Sequence, residues 1–158
     1  MVAHGSWWLP GHQQLRFPSV HAMSDEETRA RNRATIEASM EAVSEGDVDR
    51  QLALCTEDFV LDLPYADPPK TVAGKETVRT YLQSALGIFR LDLTITHIYD
   101  CADPDELVLE YTSTGSVTTT GKPYANCYIA VARFRDGLVC SQREYYNPLP
   151  AARALSDD

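Results

Sequence analysis

The chain has 158 residues, enough for one domain around one hydrophobic core, and its 44 % hydrophobic and 23 % charged residues are those of an ordinary water-soluble globule. A net charge of −9 argues against nucleic acid or an anionic membrane as partner, because both need a basic patch. The sequence holds no run of about 18 apolar residues that would span a bilayer.

The first 22 residues, "MVAHGSWWLPGHQQLRFPSVHA", show neither a helical nor a strand period and lack the apolar stretch of a secretory signal. We read residues 1–23 as a mobile N-terminal extension and residues 24–158 as a single domain. The alternative is an arm that docks Trp7 and Trp8 on a neighbour.

Helix-start chemistry begins at Ser24-x-x-Glu27, a capping box, and Ile36, Met40 and Val43 follow at helical spacing. This predicts a first helix over roughly 26–44, stopped by Gly46. Asp47 then caps a second helix on which Val48, Leu52 and Cys55 share a face. "DFVLDLPY" reads as a short strand ended by Pro64, and "ADPPKTVAGK" as a proline-rich loop. Residues 75–89 form a third helix with Val78, Tyr81, Leu82, Ala85 and Phe89 on its apolar face.

From there the period switches to two. "RLDLTITHIYD" alternates, "ELVLEYTSTGSVTT" is a β-branched strand broken near Gly115, and "YANCYIAVARF" and "LVCSQREYYN" form a hairpin around "RDG". Pro148 ends the ladder because it has no N–H to donate. Helices followed by strands predict an α+β fold: a cone-shaped, strongly bent antiparallel or mixed sheet, with three N-terminal helices enclosing a pocket.

Cys55, Cys101, Cys127 and Cys140 form no C-x-x-C pair, so we expect reduced thiols, a cytoplasmic protein, and neither a metal nor a cofactor. His97 is the one histidine outside the extension and reads as a strand surface residue, so any proton transfer falls to carboxylates and phenols. In the last strand Gln142, Glu144 and Tyr146 share one face, and Ser141, Arg143 and Tyr145 the other. On its hairpin partner, Tyr124, Asn126, Tyr128, Ala130 and Ala132 taper from large and polar to small, as a pocket wall would. The opposite set, Ala125, Cys127, Ile129, Val131 and Arg133, is more apolar and suits packing under the helices. Glu144 then either pairs with Arg133 or Arg143 on the sheet surface or points into the pocket, and we expect the pocket. Glu110 is the other candidate for a pocket acid, Asp62 is expected to be solvated, and Asp67 could sit at the mouth.

Gly46-Asp47 after the first helix, "EDFVLDLP", "AGKETVRTYL", "RFRDGLV" and "REYYNP" together resemble the nuclear transport factor 2-like superfamily. Within it the chain is most similar to SnoaL-like proteins and to the phenazine-biosynthesis A/B family, over about residues 25–155. The resemblance implies the same conical fold and a homodimer through the open sheet face. It places Glu144 on the acid that serves as general acid/base in the phenazine family, and limonene-epoxide hydrolases carry a carboxylate at the same point of a similar run. Tyr124 falls on a pocket tyrosine of the phenazine family. Departures also count. The pocket histidine of that family is Tyr81 here and its pocket serine is Ala85, so condensation of a phenazine precursor is not expected. The two catalytic acids of ketosteroid isomerases fall on Leu63 and Ala130, and the Arg-x-Asp of epoxide hydrolases is missing from "LVLEYTS".

The resulting expectation is a cofactor-independent cyclase, dehydratase or isomerase acting on a bulky, apolar natural-product intermediate, polyketide- or terpenoid-like. Glu144, Tyr81 and Tyr124 are its candidate catalytic residues. Asn126, Tyr128, Gln142, Tyr146, Leu63 and Ala85 are its candidate substrate contacts. Two rivals stand beside it: a non-catalytic binding or dimeric scaffold protein of the same fold, and an epoxide hydrolase with a second acid and an arginine converging on one water.

Overall fold

The structure is a computed structural model that describes residues 23–156, so all but Met23 of the expected N-terminal extension lies outside the described residues. Helix α1 (Asp25–Glu45) begins at the anticipated capping box. The Ser24 hydroxyl accepts the Glu27 N–H at 3.2 Å, and the Glu27 carboxylate accepts the Ser24 N–H at 2.8 Å. Gly46 closes the helix at φ 75°, a left-handed conformation that costs glycine nothing; its N–H reaches Val43, and the Asp47 N–H reaches Ala42. Asp47 at once caps α2 (Val48–Ala53) by accepting the Arg50 N–H at 2.9 Å.

Strands β1 (Cys55–Leu63) and β2 (Lys70–Ala73) precede α3 (Lys75–Ile88). The remaining strands are β3 (Phe89–Asp100), β4 (Glu106–Val117), β5 (Pro123–Arg135) and β6 (Leu138–Tyr146), and a short α4 (Leu149–Leu155) follows. They make one open six-stranded sheet in the order β2-β1-β6-β5-β4-β3, with β1 parallel to β6 and every other neighbour antiparallel. The α+β fold with a mixed sheet is therefore the one anticipated.

Helices α1, α2 and α3 contribute Ile36, Leu52 and Val78 to the same core as Phe59, Leu107, Leu109 and Val139 of the sheet, all of them at most 2 % exposed. Burying each such side chain contributes roughly 1.5–3 kcal/mol, which fixes which sheet face is inner. That face carries Leu107, Leu109, Tyr111 and Ser113 from β4 and Tyr124, Asn126, Ala130 and Ala132 from β5.

A bulge in β6 sets the rest. Phe134 pairs with Val139 but Arg133 pairs with Ser141, leaving Cys140 as an extra residue whose thiol donates to the Arg133 carbonyl at 3.4 Å. Strict alternation from the inward Val139 would turn Ser141, Arg143 and Tyr145 inward. The extra residue shifts the parity, so Gln142, Glu144 and Tyr146 face the core instead.

Several expectations require correction. The Ala125, Cys127, Ile129, Val131, Arg133 face does not pack under the helices: Ala125, Cys127, Ile129 and Arg133 are exposed, because the helices and the pocket lie on the same side of the sheet. Cys55 and Phe89 belong to strands β1 and β3 rather than to helix faces. The proline-rich loop contains β2, which pairs with β1 at its Leu63 end. Gly115 does not break β4. It pairs with Leu91 and lies so close to the Arg90 carbonyl that a Cβ there would collide with it. Beyond Asn147 the chain forms α4, an element for which the sequence reading made no assignment.

Candidate active site

Between the helices and the sheet lies a cavity of about 200 Å³. Its helical wall comprises Met40, Val43 and Gln51 with Tyr81, Leu82, Ala85 and Leu86. Its sheet wall includes Leu61, Leu63, Tyr111, Tyr124, Tyr128, Gln142, Glu144 and Tyr146. Of the nine sequence candidates, the structure brings Glu144, Tyr81, Tyr124, Tyr128, Gln142, Tyr146, Leu63 and Ala85 to this one space.

Asn126 does not line it. Its buried amide donates to the Tyr124 hydroxyl at 3.0 Å and to the Asn147 carbonyl at 2.8 Å, and its oxygen accepts the Cys127 N–H. It holds Tyr124 in place and closes the end of β6, so the expected direct substrate contact is replaced by a supporting position one layer back.

Glu144 takes no surface partner. Arg143 pairs with Asp62 at 2.7 Å and Arg133 with Glu106 at 2.6 Å, both on the outer face. Asp62 is therefore ion-paired rather than merely solvated. Glu144 instead accepts a hydrogen bond from the Tyr111 hydroxyl and a second, at 3.3 Å, from the Gln142 amide. Both arrive at Oε2, and Oε1 takes no hydrogen bond among the described residues. Burial pushes the carboxyl pKa up, while the Tyr111 and Gln142 hydrogen bonds pull against that rise. Among the described residues no lysine, arginine or histidine lines the cavity to offset it.

Tyr111 was not singled out by sequence reasoning. The available signal was its place in the inward set Leu107, Leu109, Tyr111, Ser113, which alternation identifies but cannot match to a strand not yet in register. In the sheet Tyr111 stands opposite Tyr128, with ring centroids 4.6 Å apart and planes 4° from parallel. Ala130 is the residue opposite Glu144. With only a methyl group between the strands, the Tyr111 phenol reaches across to the carboxylate.

A second chain of hydroxyls runs behind it. Tyr128 bonds Ser113 at 3.0 Å and Tyr124 at 2.9 Å, and Tyr124 receives the Asn126 amide. Tyr81, Tyr111 and Tyr128 are held neutral by burial. Burial raises Tyr81 to about 12, aided by the charges of Tyr146 and Glu144; burial and then the charge of Glu144 raise Tyr111 well above the ordinary range. They can donate hydrogen bonds but will not serve as bases. The Lys70 ammonium lies 5.0 Å from the centre of the Tyr81 ring.

The remaining acids lie elsewhere. Glu110 faces outward and accepts from the Tyr99 hydroxyl at 3.1 Å, and Asp67 is exposed. His97 is an exposed strand residue as expected. Among the described residues no group of three histidine, cysteine or acidic side chains is arranged to hold a metal ion.

The profile of the SnoaL-like domain family matches residues 36–142. A PhzA/B-like protein of Pseudomonas aeruginosa is 33 % identical over 119 residues, covering 74 % of this chain and 84 % of that one. The crystal structure of a candidate isomerase from Bacillus subtilis superposes with a TM-score of 0.74 at 30 % identity, covering 84 % of this chain and 95 % of the other. That of a candidate polyketide cyclase from Xanthomonas campestris gives 0.72 at 25 % identity over 82 % and 99 %.

The raised carboxyl has a consequence for stability. Below its ordinary pKa of 4.5, Glu144 is protonated whether the chain is folded or not. Above 4.5 the unfolded chain ionises first while the folded protein keeps its proton, so stability falls as pH rises toward the folded pKa and then stays level. Glu144→Gln lacks this loss. Its melting temperature relative to the parent should therefore climb as pH rises from about 4.5. Thermal melts across pH check this, and a difference that is flat or shrinks with pH would contradict it.

Proposed function

The chain belongs to the SnoaL-like domain family, and on that premise we propose that it is a cofactor-independent isomerase, cyclase or dehydratase in which Glu144 moves the proton. One observation carries this reading: a carboxylate in an apolar cavity, with a raised pKa, no facing cation and one oxygen free. A carboxyl whose pKa approaches working pH can both take and return a proton, which these reactions require.

In the isomerisation form, Glu144 Oε1 removes the proton from a carbon beside a substrate carbonyl. The electron pair moves onto the carbonyl oxygen as an enolate, and the same carboxylic acid returns the proton to another carbon. Tyr81 or Tyr146, whose hydroxyls have no hydrogen-bond partner among the described residues, donates to the enolate oxygen. Tyr124 acts through Tyr128 as part of the wall that holds this arrangement.

Cavity volume limits the substrate. A cavity of roughly 150 Å³ is enough to hold benzene, so about 200 Å³ suits a skeleton of one or two rings. That favours a terpenoid-sized or small aromatic intermediate over the bulkier polyketide also considered. Epoxide hydrolysis is not favoured, since among the described residues the cavity wall contains one carboxylate and no arginine.

We also propose that a second copy covers the outer sheet face. There Tyr65, Cys127, Ile129 and Tyr145 line an open groove, and Ile129 and Tyr65 are 46 % and 58 % exposed. Light scattering should give a dimer mass that Ile129→Glu reduces to a monomer. A monomeric parent protein would overturn this part.

Exchange of the α-protons of 2-tetralone in D2O, followed by NMR, tests the proton transfer. The protein should accelerate exchange above the buffer rate. Glu144→Gln should abolish the acceleration while leaving the fold intact, and Tyr81→Phe should lower it roughly ten- to a hundredfold. Binding of the ketone without accelerated exchange would instead favour the ligand-binding rival.

A further inference from the structure

On the sheet wall the polar side chains largely engage one another. Tyr111 and Gln142 reach Glu144, and Tyr128 connects Ser113 to Tyr124. Gln51, on the helical wall, is different. It is 8 % exposed, its side chain lines the cavity, its Oε1 is buried without a partner, and its amide makes no side-chain hydrogen bond among the described residues.

The backbone fixes where this side chain stands. The Gln51 N–H donates to the Asp47 carbonyl at 3.1 Å, and its own carbonyl accepts from the Leu54 N–H at 3.1 Å and the Cys55 thiol at 3.6 Å. The residue therefore sits at a fully bonded point of α2. Burying a carboxamide without partners is unfavourable, and methionine would fill a similar volume without that cost. The amide needs a partner, and the cavity it borders is where a partner would come from.

We propose that Gln51 is a specificity-determining residue whose carboxamide hydrogen-bonds a hydroxyl or carbonyl of the substrate, away from the atoms that react with Glu144. Because a carboxamide offers both a donor and an acceptor and turns about its last bond, it receives either group. The absence of a cationic side chain from the lining among the described residues argues that this oxygen is neutral: an ionised carboxylate or phosphate would meet Glu144 with no countercharge there. The substrate class that follows is a neutral one- or two-ring skeleton with two oxygen functions. One activates the C–H facing Glu144 and the other is held by Gln51 from the opposite wall. The assignment of the reacting end rests on the acid/base reading above; the binding role of Gln51 does not.

The test compares 2-tetralone with 6-hydroxy-2-tetralone, which differ by one hydroxyl. The parent protein should bind the hydroxyl-bearing probe about tenfold or more tightly, the yield of one hydrogen bond to a buried polar group. Gln51→Met should fold with an equal or higher melting temperature and erase that preference by weakening the hydroxyl-bearing probe more than 2-tetralone. Glu144→Gln should do the reverse, stopping exchange while keeping the preference. The proposal is overturned if the parent protein binds both probes equally or binds neither. It is also overturned if Gln51→Met keeps the preference, weakens both probes alike or lowers stability, or if the preference disappears in Glu144→Gln instead. Absence of accelerated exchange in the parent protein, with the Gln51 preference intact, would count against the acid/base reading and not against this one.

Discussion

The arrangement depends on a carboxylate placed where water cannot fully solvate it. Moving a charged group from water into an apolar wall is costly unless a cation or several hydrogen-bond donors replace the lost solvation. Glu144 has two donors, Tyr111 and Gln142, both at one oxygen, and no cation in the surrounding wall. That is enough to keep the group in the fold and too little to keep its pKa ordinary. In the proposed reaction, the incompleteness of its solvation is the source of its acid/base chemistry. A salt bridge in its place would stabilise the ionised form and remove the reason to hold a proton near working pH.

The backbone prepares this environment before any side chain contributes. Cys140, as an extra residue in β6, turns Gln142, Glu144 and Tyr146 inward and leaves Arg143 outside with Asp62. Ala130 and Ala132, both fully buried, stand opposite Glu144 and Gln142 and leave the space through which Tyr111 reaches. Asn126 and Tyr124 close the wall near Asn147. Each of these is a packing or register feature, yet together they decide which charged group of "REYYNP" faces the cavity and which faces solvent.

Much of this was legible in the residues. The capping box, the αL glycine and the hairpin turn are local signals, and local signals place α1 and the β5–β6 hairpin well. The taper from Tyr124 to Ala132 is also local, since alternate residues of one strand must share a face. Three features were less accessible because they depend on partners distant in sequence. The short β2 forms only because β1 offers it an edge. Tyr111 became recognisable as the partner of Glu144 only once β4, β5 and β6 were in register. The apolar residues Ile129 and Val131 suggested a buried face on hydrophobicity alone, whereas the covered side of the sheet is decided by where the helices return. Gln51 was hidden for a different reason: a glutamine in a helix is ordinary, and only its lack of partners in the folded chain makes it notable.

The central claim, that Glu144 is held partly unsolvated so that its carboxyl keeps its proton to higher pH than an ordinary glutamate, is tested most directly by titrating the carboxyl itself. Carbon-13 labelling of glutamate side chains, with Glu144→Gln used to assign the resonance, lets its carboxyl shift be followed against pH by NMR. The account predicts a midpoint above the ordinary 4.5, moving higher still in Tyr111→Phe because the opposing hydrogen bond is lost. A midpoint at or below 4.5, unmoved when the Tyr111 hydroxyl is removed, would contradict it.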